Sequence, residues 1–332
     1  MFYLVTGGSG SGKSAFAEDI VCSLARESGE SLFYVATMLP YGEETKRKIL
    51  RHRVMRQDKG FETVECYTGL EEKAEHGMGV CTEWEEASSR CVLLECISNL
   101  AANEMYQPDG AKKNTVRAVI RGVRALNRKC RHLVVVTNEV CSECSSDSEE
   151  MQMYKRFMGE INTELARMAD GVAEVVYGIP VKLKGVLQLC KTKKDGKWEG
   201  EPHMKLVIGG AYQGKLAYAK KEFLAADHSW IDGASCPFED IYTCQGIWHF
   251  ESYIRRMMAA GKDLKNLASS IAGKNPDLVV VSTEIGYGLV PVDAFEREYR
   301  EQAGRICTEL AALAERVDRV VCGIGTTLKV LD

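Results

Sequence analysis

The sequence predicts an α/β fold made of two tandem related units, each a mostly parallel sheet with helices on both faces. Three observations predict it. Short apolar runs alternate with stretches of helical spacing. A glycine-rich loop joins the first run to the first helical stretch, in "YLVTGGSGSGKSAFAE" at 3–18. The same order of strand, loop, Lys and helix returns in "KLVIGGAYQGKLAYAK" at 205–220.

The strand-like runs of the first unit are 2–6, 32–37, 61–66, 91–96, 133–137 and 172–177. Between them, 14–26, 43–56, 115–128 and 151–169 have helical spacing. At 186–203, "VLQLCKTKKDGKWEGEPH" breaks the rhythm with Gly, Lys and Pro. This segment is the expected linker between a complete unit, 1–185, and a shortened one, 204–332.

The repeat can be counted. Gly7, Gly12 and Lys13 match Gly209, Gly214 and Lys215 at an offset of 202. From "TNEV" at 137–140 against "STEI" at 282–285 the offset is 145, and it holds to "VVYGIPVKLK" against "VVCGIGTTLK". The second copy therefore lacks 57 residues from its middle.

Composition narrows the class. At 45% hydrophobic and 27% charged residues the chain has the balance of a soluble globular protein, and 332 residues can bury two cores. A net charge of −4 gives no general attraction to nucleic acid or acidic membranes. No apolar run is long enough to span a bilayer. "MFYLVTGG" has no basic segment ahead of its apolar residues, so it reads as a strand and not as a signal peptide. The 13 Cys have no disulfide-framework spacing, which points to reduced thiols in a cytoplasm. Cys141 and Cys144 form a lone CxxC, a weak signal for metal or redox chemistry.

Gly7, Gly8, Ser9, Gly10, Ser11, Gly12, Lys13 and Ser14 satisfy G-x-x-x-x-G-K-[ST], a P-loop between a strand and a helix. Glycines let backbone N–H groups turn inward on a phosphate, and the helix adds its N-terminal amides. Lys13 is expected on the β- and γ-phosphates and the Ser14 hydroxyl on Mg²⁺. The expected architecture is thus P-loop NTPase-like. In the copy, Leu216 cannot ligate Mg²⁺, and Tyr212 and Gln213 replace Gly10 and Ser11, so no Mg-nucleotide chemistry is expected there.

In "EETKRKILRHRVMRQ", 43–57, Lys48, His52 and Arg56 fall four apart on one helix face. A polyphosphate would stabilise such a face, and the cations would favour a neutral, nucleophilic His52. The same spacing also fits a solvated basic face with an incidental His. Glu95 ends the run "CVLLE", at the rim where ligands bind in open α/β sheets. There it could hold Mg²⁺, orient an attacking group, or simply be a charged strand end. Asn138 and Glu139 end another strand at the same rim.

Taken in order, "LVTGGSGSGKSAFAE", "YVAT", "KILRHRVMR", "ETVE", "LLECISNL", "VTNEV" and "GIPVKLK" resemble the bifunctional adenosylcobinamide kinase/adenosylcobinamide-phosphate guanylyltransferases of cobalamin biosynthesis (CobU type). The resemblance spans 1–185, and 204–332 resembles the C-terminal half of the same family. It implies a cytoplasmic homotrimeric enzyme with GTP and ATP as co-substrates and Mg²⁺ as cofactor. The implied chemistry phosphorylates adenosylcobinamide. Its phosphate then receives GMP from GTP through a guanylyl-His, and His52 stands at the family's His position. Lys13 and Glu95 become the other catalytic candidates, Ser14 and Glu95 the metal ligands, and Lys48 and Arg56 join the P-loop in binding nucleotide.

Two departures qualify this. The family's "NEVGxGxVP" reads "NEVCSECSSDSEEM" in the first unit, while the second keeps Gly286, Gly288, Val290 and Pro291. The second unit has lost the P-loop hydroxyl and the His segment. The expectation is a partner subunit fused in cis, an intramolecular pseudo-oligomer, with its Gly loop bordering the first unit's site. The alternatives are an enzyme retaining one activity, or a non-catalytic protein that binds nucleotide or corrinoid.

Overall fold

The computed structural model describes residues 1–56, 59–78, 84, 90–142, 148–185, 203–223 and 230–331; the side chains of 44, 48, 51, 52 and 55 lie outside the described part. Cys144 and almost all of the expected linker, 186–202, lie outside it as well. The chain forms two compact units. One comprises Met1–Gly7, Lys13–Glu174 and Lys182–Thr192; the other comprises Gly8–Gly12, Val175–Val181 and Lys193–Asp332.

The first sheet contains β1 (Phe2–Thr6), β2 (Ser31–Ala36), β3 (Glu62–Glu65), β4 (Arg90–Glu95), β5 (His132–Val136), β6 (Gly171–Val176) and β7 (Ile179–Lys184), in the order β3-β2-β4-β5-β1-β6-β7. The β1–β5, β1–β6, β2–β3, β2–β4 and β4–β5 pairs are parallel. Parallel strands covered on both faces need continuous apolar runs, and Val5, Val35, Leu94 and Val135 are fully buried. The helices are α1 (Lys13–Ser28), α2 (Gly42–Arg56), α3 (Leu70–His76), α4 (Ile97–Tyr106), α5 (Thr115–Lys129) and α6 (Glu149–Met168). On α1, Ala17, Ile20, Val21 and Leu24 form the buried stripe that its spacing implies. The six expected strands and four expected helices are present, with ends moved by up to two residues. Helices α3 and α4 and strand β7 are additions.

The second sheet contains β8 (Lys205–Gly209), β9 (Trp230–Asp232), β10 (Gly246–Trp248), β11 (Val279–Thr283), β12 (Arg316–Val321) and β13 (Ile324–Val330), in the order β13-β12-β8-β11-β10-β9. Its helices are α7 (Lys215–Phe223), α8 (Phe250–Ala259), α9 (Leu267–Lys274) and α10 (Ala294–Leu313). Only a 3-10 turn, Phe238–Tyr242, stands between β9 and β10, where the first repeat has α2, β3 and α3. This is the structural content of most of the missing length.

The repeat extends to individual hydrogen bonds. The Lys184 ammonium donates to the carbonyls of Ala166, Arg167 and Ala169 at the end of α6. The Lys329 ammonium does the same with Ala311, Ala312 and Ala314 at the end of α10. Ser148 caps α6 by accepting from the Met151 N–H, and Asp293 caps α10 by accepting from that of Glu296. The turns before β7 and β13 use Tyr177–Gly178 and Cys322–Gly323, all at positive φ as a two-residue hairpin turn requires. Every one of these pairs is related by the offset of 145.

Candidate active site

In the first unit, Lys13 and Ser14 open α1, and the Ser14 hydroxyl donates to the Glu95 carboxylate. Glu95 closes β4, so its side chain reaches the rim where the chain leaves the sheet. It is 14% exposed. Burial, then the negative charge of Glu18, push its carboxyl up to about 7 despite Lys13 and the Ser14 hydrogen bond. Thr37 fixes the strand end: its hydroxyl bridges the carbonyls of Glu95, 2.6 Å, and Cys96, 3.0 Å. The Asn103 amide then donates to the Thr37 carbonyl at 2.8 Å.

Arg56, at the end of α2, comes to the same place. Its guanidinium stacks 3.4 Å from the centroid of the Tyr34 ring, and Nη1 lies 4.0 Å from a Glu95 oxygen. It is 6% exposed, and its Nη1 makes no hydrogen bond. Burial lowers its pKa to about 10, opposed chiefly by the charge of Glu18. A buried cation with spare hydrogen-bonding capacity suits an anionic ligand.

Tyr34, Thr37, Arg56 and Glu95 border a cavity of about 320 Å³ in the first unit. Tyr34, Met38, Pro40, Ile49, Leu50 and Tyr67 supply apolar and aromatic wall; Lys46, Arg53, Arg56, Glu65 and Glu95 supply charge, with Arg53 donating to Glu65 at 3.2 Å and Lys46 to Glu43 at 2.9 Å. An apolar pocket with a few converging charges, among them a buried guanidinium with an unused donor, fits a nucleotide-sized anion. Helix α2 contributes Lys46, Ile49, Leu50, Arg53 and Arg56 to this wall. Position 52 falls three after Ile49 and four before Arg56 on that helix. The side chains of His52 and Lys48 lie outside the described residues.

Two oxygen donors in contact, one an acid held near neutrality by burial, suit a hard divalent cation, which would relieve the cost of ionising Glu95. The oxygens of Ser14 and Glu95 therefore fit a cation such as Mg²⁺. Asn138 and Glu139 are turned to structural use. Asn138 donates to the Ser98 hydroxyl at 2.7 Å, and Glu139 accepts from the Cys141 N–H at 2.7 Å.

Sequence reasoning missed Glu18, Tyr34 and Lys59. Glu18 is 2% exposed and pairs with the Lys59 ammonium at 2.5 Å. A carboxylate beside the apolar stripe of α1 was the available signal, since such groups are buried only when paired. Tyr34 was hidden inside an apolar strand, and Lys59 in a turn.

The second unit shows what the copied loop has become. The Lys215 ammonium donates to the Gly210 carbonyl at 2.7 Å, folded onto its own loop, and burial lowers its pKa. The Gln213 side chain accepts from the Cys322 N–H at 2.5 Å. In the register where Ala36 faces Glu95, Asp232 faces Trp248. Leu216 and Trp248 thus stand where Ser14 and Glu95 stand in the first repeat, and neither offers an oxygen.

Gly8–Gly12 of the P-loop belong to the body of the second unit. There the Ser9 N–H donates to the Gly286 carbonyl at 2.9 Å, and the Thr308 hydroxyl donates to the Gly10 carbonyl at 3.1 Å.

No helix among the described residues is long and apolar enough to cross a membrane. The family profile described as cobinamide kinase / cobinamide phosphate guanyltransferase (CobU) matches residues 3–183 and 241–328. Among curated proteins, the chain is 29% identical over 195 residues to the bifunctional adenosylcobalamin biosynthesis protein CobU of Escherichia coli, covering 55% of this chain and 100% of that one. It is 28% identical to the protein of the same name from Salmonella typhimurium, with the same coverage. It is 27% identical over 182 residues to the bifunctional adenosylcobalamin biosynthesis protein CobP of Pseudomonas aeruginosa, covering 55% of this chain and 96% of that one. With both repeats matched by one profile over most of its length, the chain belongs to the cobinamide kinase / cobinamide phosphate guanyltransferase family.

Proposed function

We propose that this chain phosphorylates adenosylcobinamide and then guanylylates the product, giving adenosylcobinamide-GDP. In the first step the primary hydroxyl of the aminopropanol arm attacks the γ-phosphorus of ATP or GTP. The bond from that phosphorus to the bridging oxygen breaks, and the nucleoside diphosphate leaves. In the second step a ring nitrogen of His52 attacks the α-phosphorus of GTP, and pyrophosphate leaves. A phosphate oxygen of adenosylcobinamide phosphate then displaces the imidazole, which is regenerated.

Residues 7–14 would wrap the phosphates with backbone N–H groups, and Lys13 would neutralise charge developing on them. Ser14 and Glu95 would hold Mg²⁺, which when bound adds Lewis-acid stabilisation of the phosphoryl oxygens. Arg56, with its unused Nη1, would bind a phosphate oxygen in the cavity beside Glu95.

The observation that carries this reading is Glu95, which accepts from the Ser14 hydroxyl and, with Arg56, lines a cavity walled by the helix that bears His52. The test is incubation of the purified chain with adenosylcobinamide, Mg²⁺ and GTP or ATP, followed by mass spectrometry of the corrinoid. Products heavier by one phosphate and by GMP plus phosphate are expected. Unchanged corrinoid from a folded, nucleotide-binding protein would overturn the proposal.

A further inference from the structure

We infer that the second repeat is retained to position the phosphate loop: Gly286, Gly304 and Thr308 act as positioning residues for Ser9 and Gly10. The inference rests on the reading of residues 7–14 as the nucleotide site, and concerns contacts inside the second unit as the chain divides.

The contacts are close and backbone-directed. The Gly286 carbonyl takes the Ser9 N–H at 2.9 Å. A Cβ on Gly286 would sit 3.0 Å from both the nitrogen and the oxygen of Ser9, and Gly286 has φ +100°, so it must be glycine twice over. On α10, a Cβ on Gly304 would lie 2.8 Å from the Cα of Gly10 and from the Ser9 carbonyl oxygen. The Thr308 hydroxyl, one turn on, bridges the carbonyls of Gly10, 3.1 Å, and Gly304, 2.9 Å. Gly10 itself has φ +72°, a conformation glycine reaches without strain and leaves as easily, so contacts from outside the loop are what hold it in one form. A phosphate cradle works only if its N–H groups are fixed before the ligand arrives.

This accounts for the complementary losses in the two repeats. Gly286 corresponds to Cys141 and Gly304 to Gly159 at the offset of 145, and Gly10 corresponds to Tyr212 at 202. A Cβ on Gly159 would meet nothing within 4 Å. The loop that needs bracing survives in the first repeat; of the two glycines that brace it from the second, Gly286 is replaced by Cys141 in the first repeat, while Gly159 keeps the residue without the contact. Their counterparts have no close neighbour or have become bulky, and Tyr212 is fully exposed.

The test is calorimetric titration of Mg-GTP into the full chain and its variants, with thermal melts alongside. Gly304→Ala, which forces the loop to move, is expected to weaken binding at least about tenfold. Thr308→Val, which removes only the hydroxyl, is expected to weaken it about threefold to tenfold with an unchanged melt. Gly159→Ala, the same helix position in the first repeat, is expected to bind as wild type. Should Gly304→Ala fail to fold, Thr308→Val decides alone. Wild-type affinity in a folded Gly304→Ala, or in Thr308→Val, would overturn the inference. A wild type that binds no nucleotide would overturn the proposed function, and this inference with it.

Discussion

Replacing Glu95 by Gln will remove a pH dependence from the stability of the ligand-free protein. In the folded chain the Glu95 carboxyl is raised from 4.5 to about 7, first by burial and then by Glu18. In the unfolded chain it titrates as an ordinary glutamate. Between the two values the folded protein holds a proton that the unfolded chain has released. The stabilisation is therefore full below the unfolded value and is lost as pH rises through the folded one. At about 1.4 kcal/mol per pH unit the loss across that interval is ~3 kcal/mol. The assay is urea denaturation of wild type and Glu95→Gln near pH ~4.5 and pH ~8, without divalent cations. Comparing the change with pH in each protein cancels other titrations and any pH-independent cost of Gln beside Arg56. Stability that falls equally in both proteins would refute the reasoning.

Arg56→Met should weaken nucleotide binding at least about tenfold, because the buried guanidinium and its unused donor are lost to the phosphate; calorimetric titration checks it. Leu216→Ser should leave nucleotide stoichiometry by calorimetry as in wild type, since Lys215 is bound to its own loop and Trp248 stands where Glu95 would be needed. Asp318→Ala should cost about 3 kcal/mol of stability, read as a lower urea midpoint, because the fully buried Asp318 pairs with Arg316 at 3.0 Å and accepts from the Tyr218 hydroxyl at 3.1 Å.

Much of this architecture was legible because the signals are local. Runs such as "CVLLE" are apolar on both faces and of strand length, as interior parallel strands must be. The repeat was legible because its conserved pairs recur as the same caps, hairpin turns and lysine contacts. Helix α4 was not, because "ISNLAANEMY" follows β4 directly and its first apolar residues extend the strand pattern. Strand β7 is largely exposed and lacks a clear alternating face. At the candidate site, that Ser14 and Glu95 share one rim was legible from motif and strand-end position. Glu18, Tyr34 and Lys59 were not, because their roles depend on which elements pack together. Arg56 was assigned to an anion-facing helix surface; its stacking on Tyr34 and near-complete burial are tertiary facts that spacing does not carry.

The central claim, a guanylyl-His52 intermediate on an intact P-loop, is tested most directly with Mg²⁺ and GTP labelled at the α-phosphate, in wild type and His52→Ala. The account predicts an acid-labile covalent label on wild type, with pyrophosphate released, and none on His52→Ala protein that still binds GTP. A label that persists in His52→Ala, or a folded wild type that binds GTP and takes up none, would contradict it.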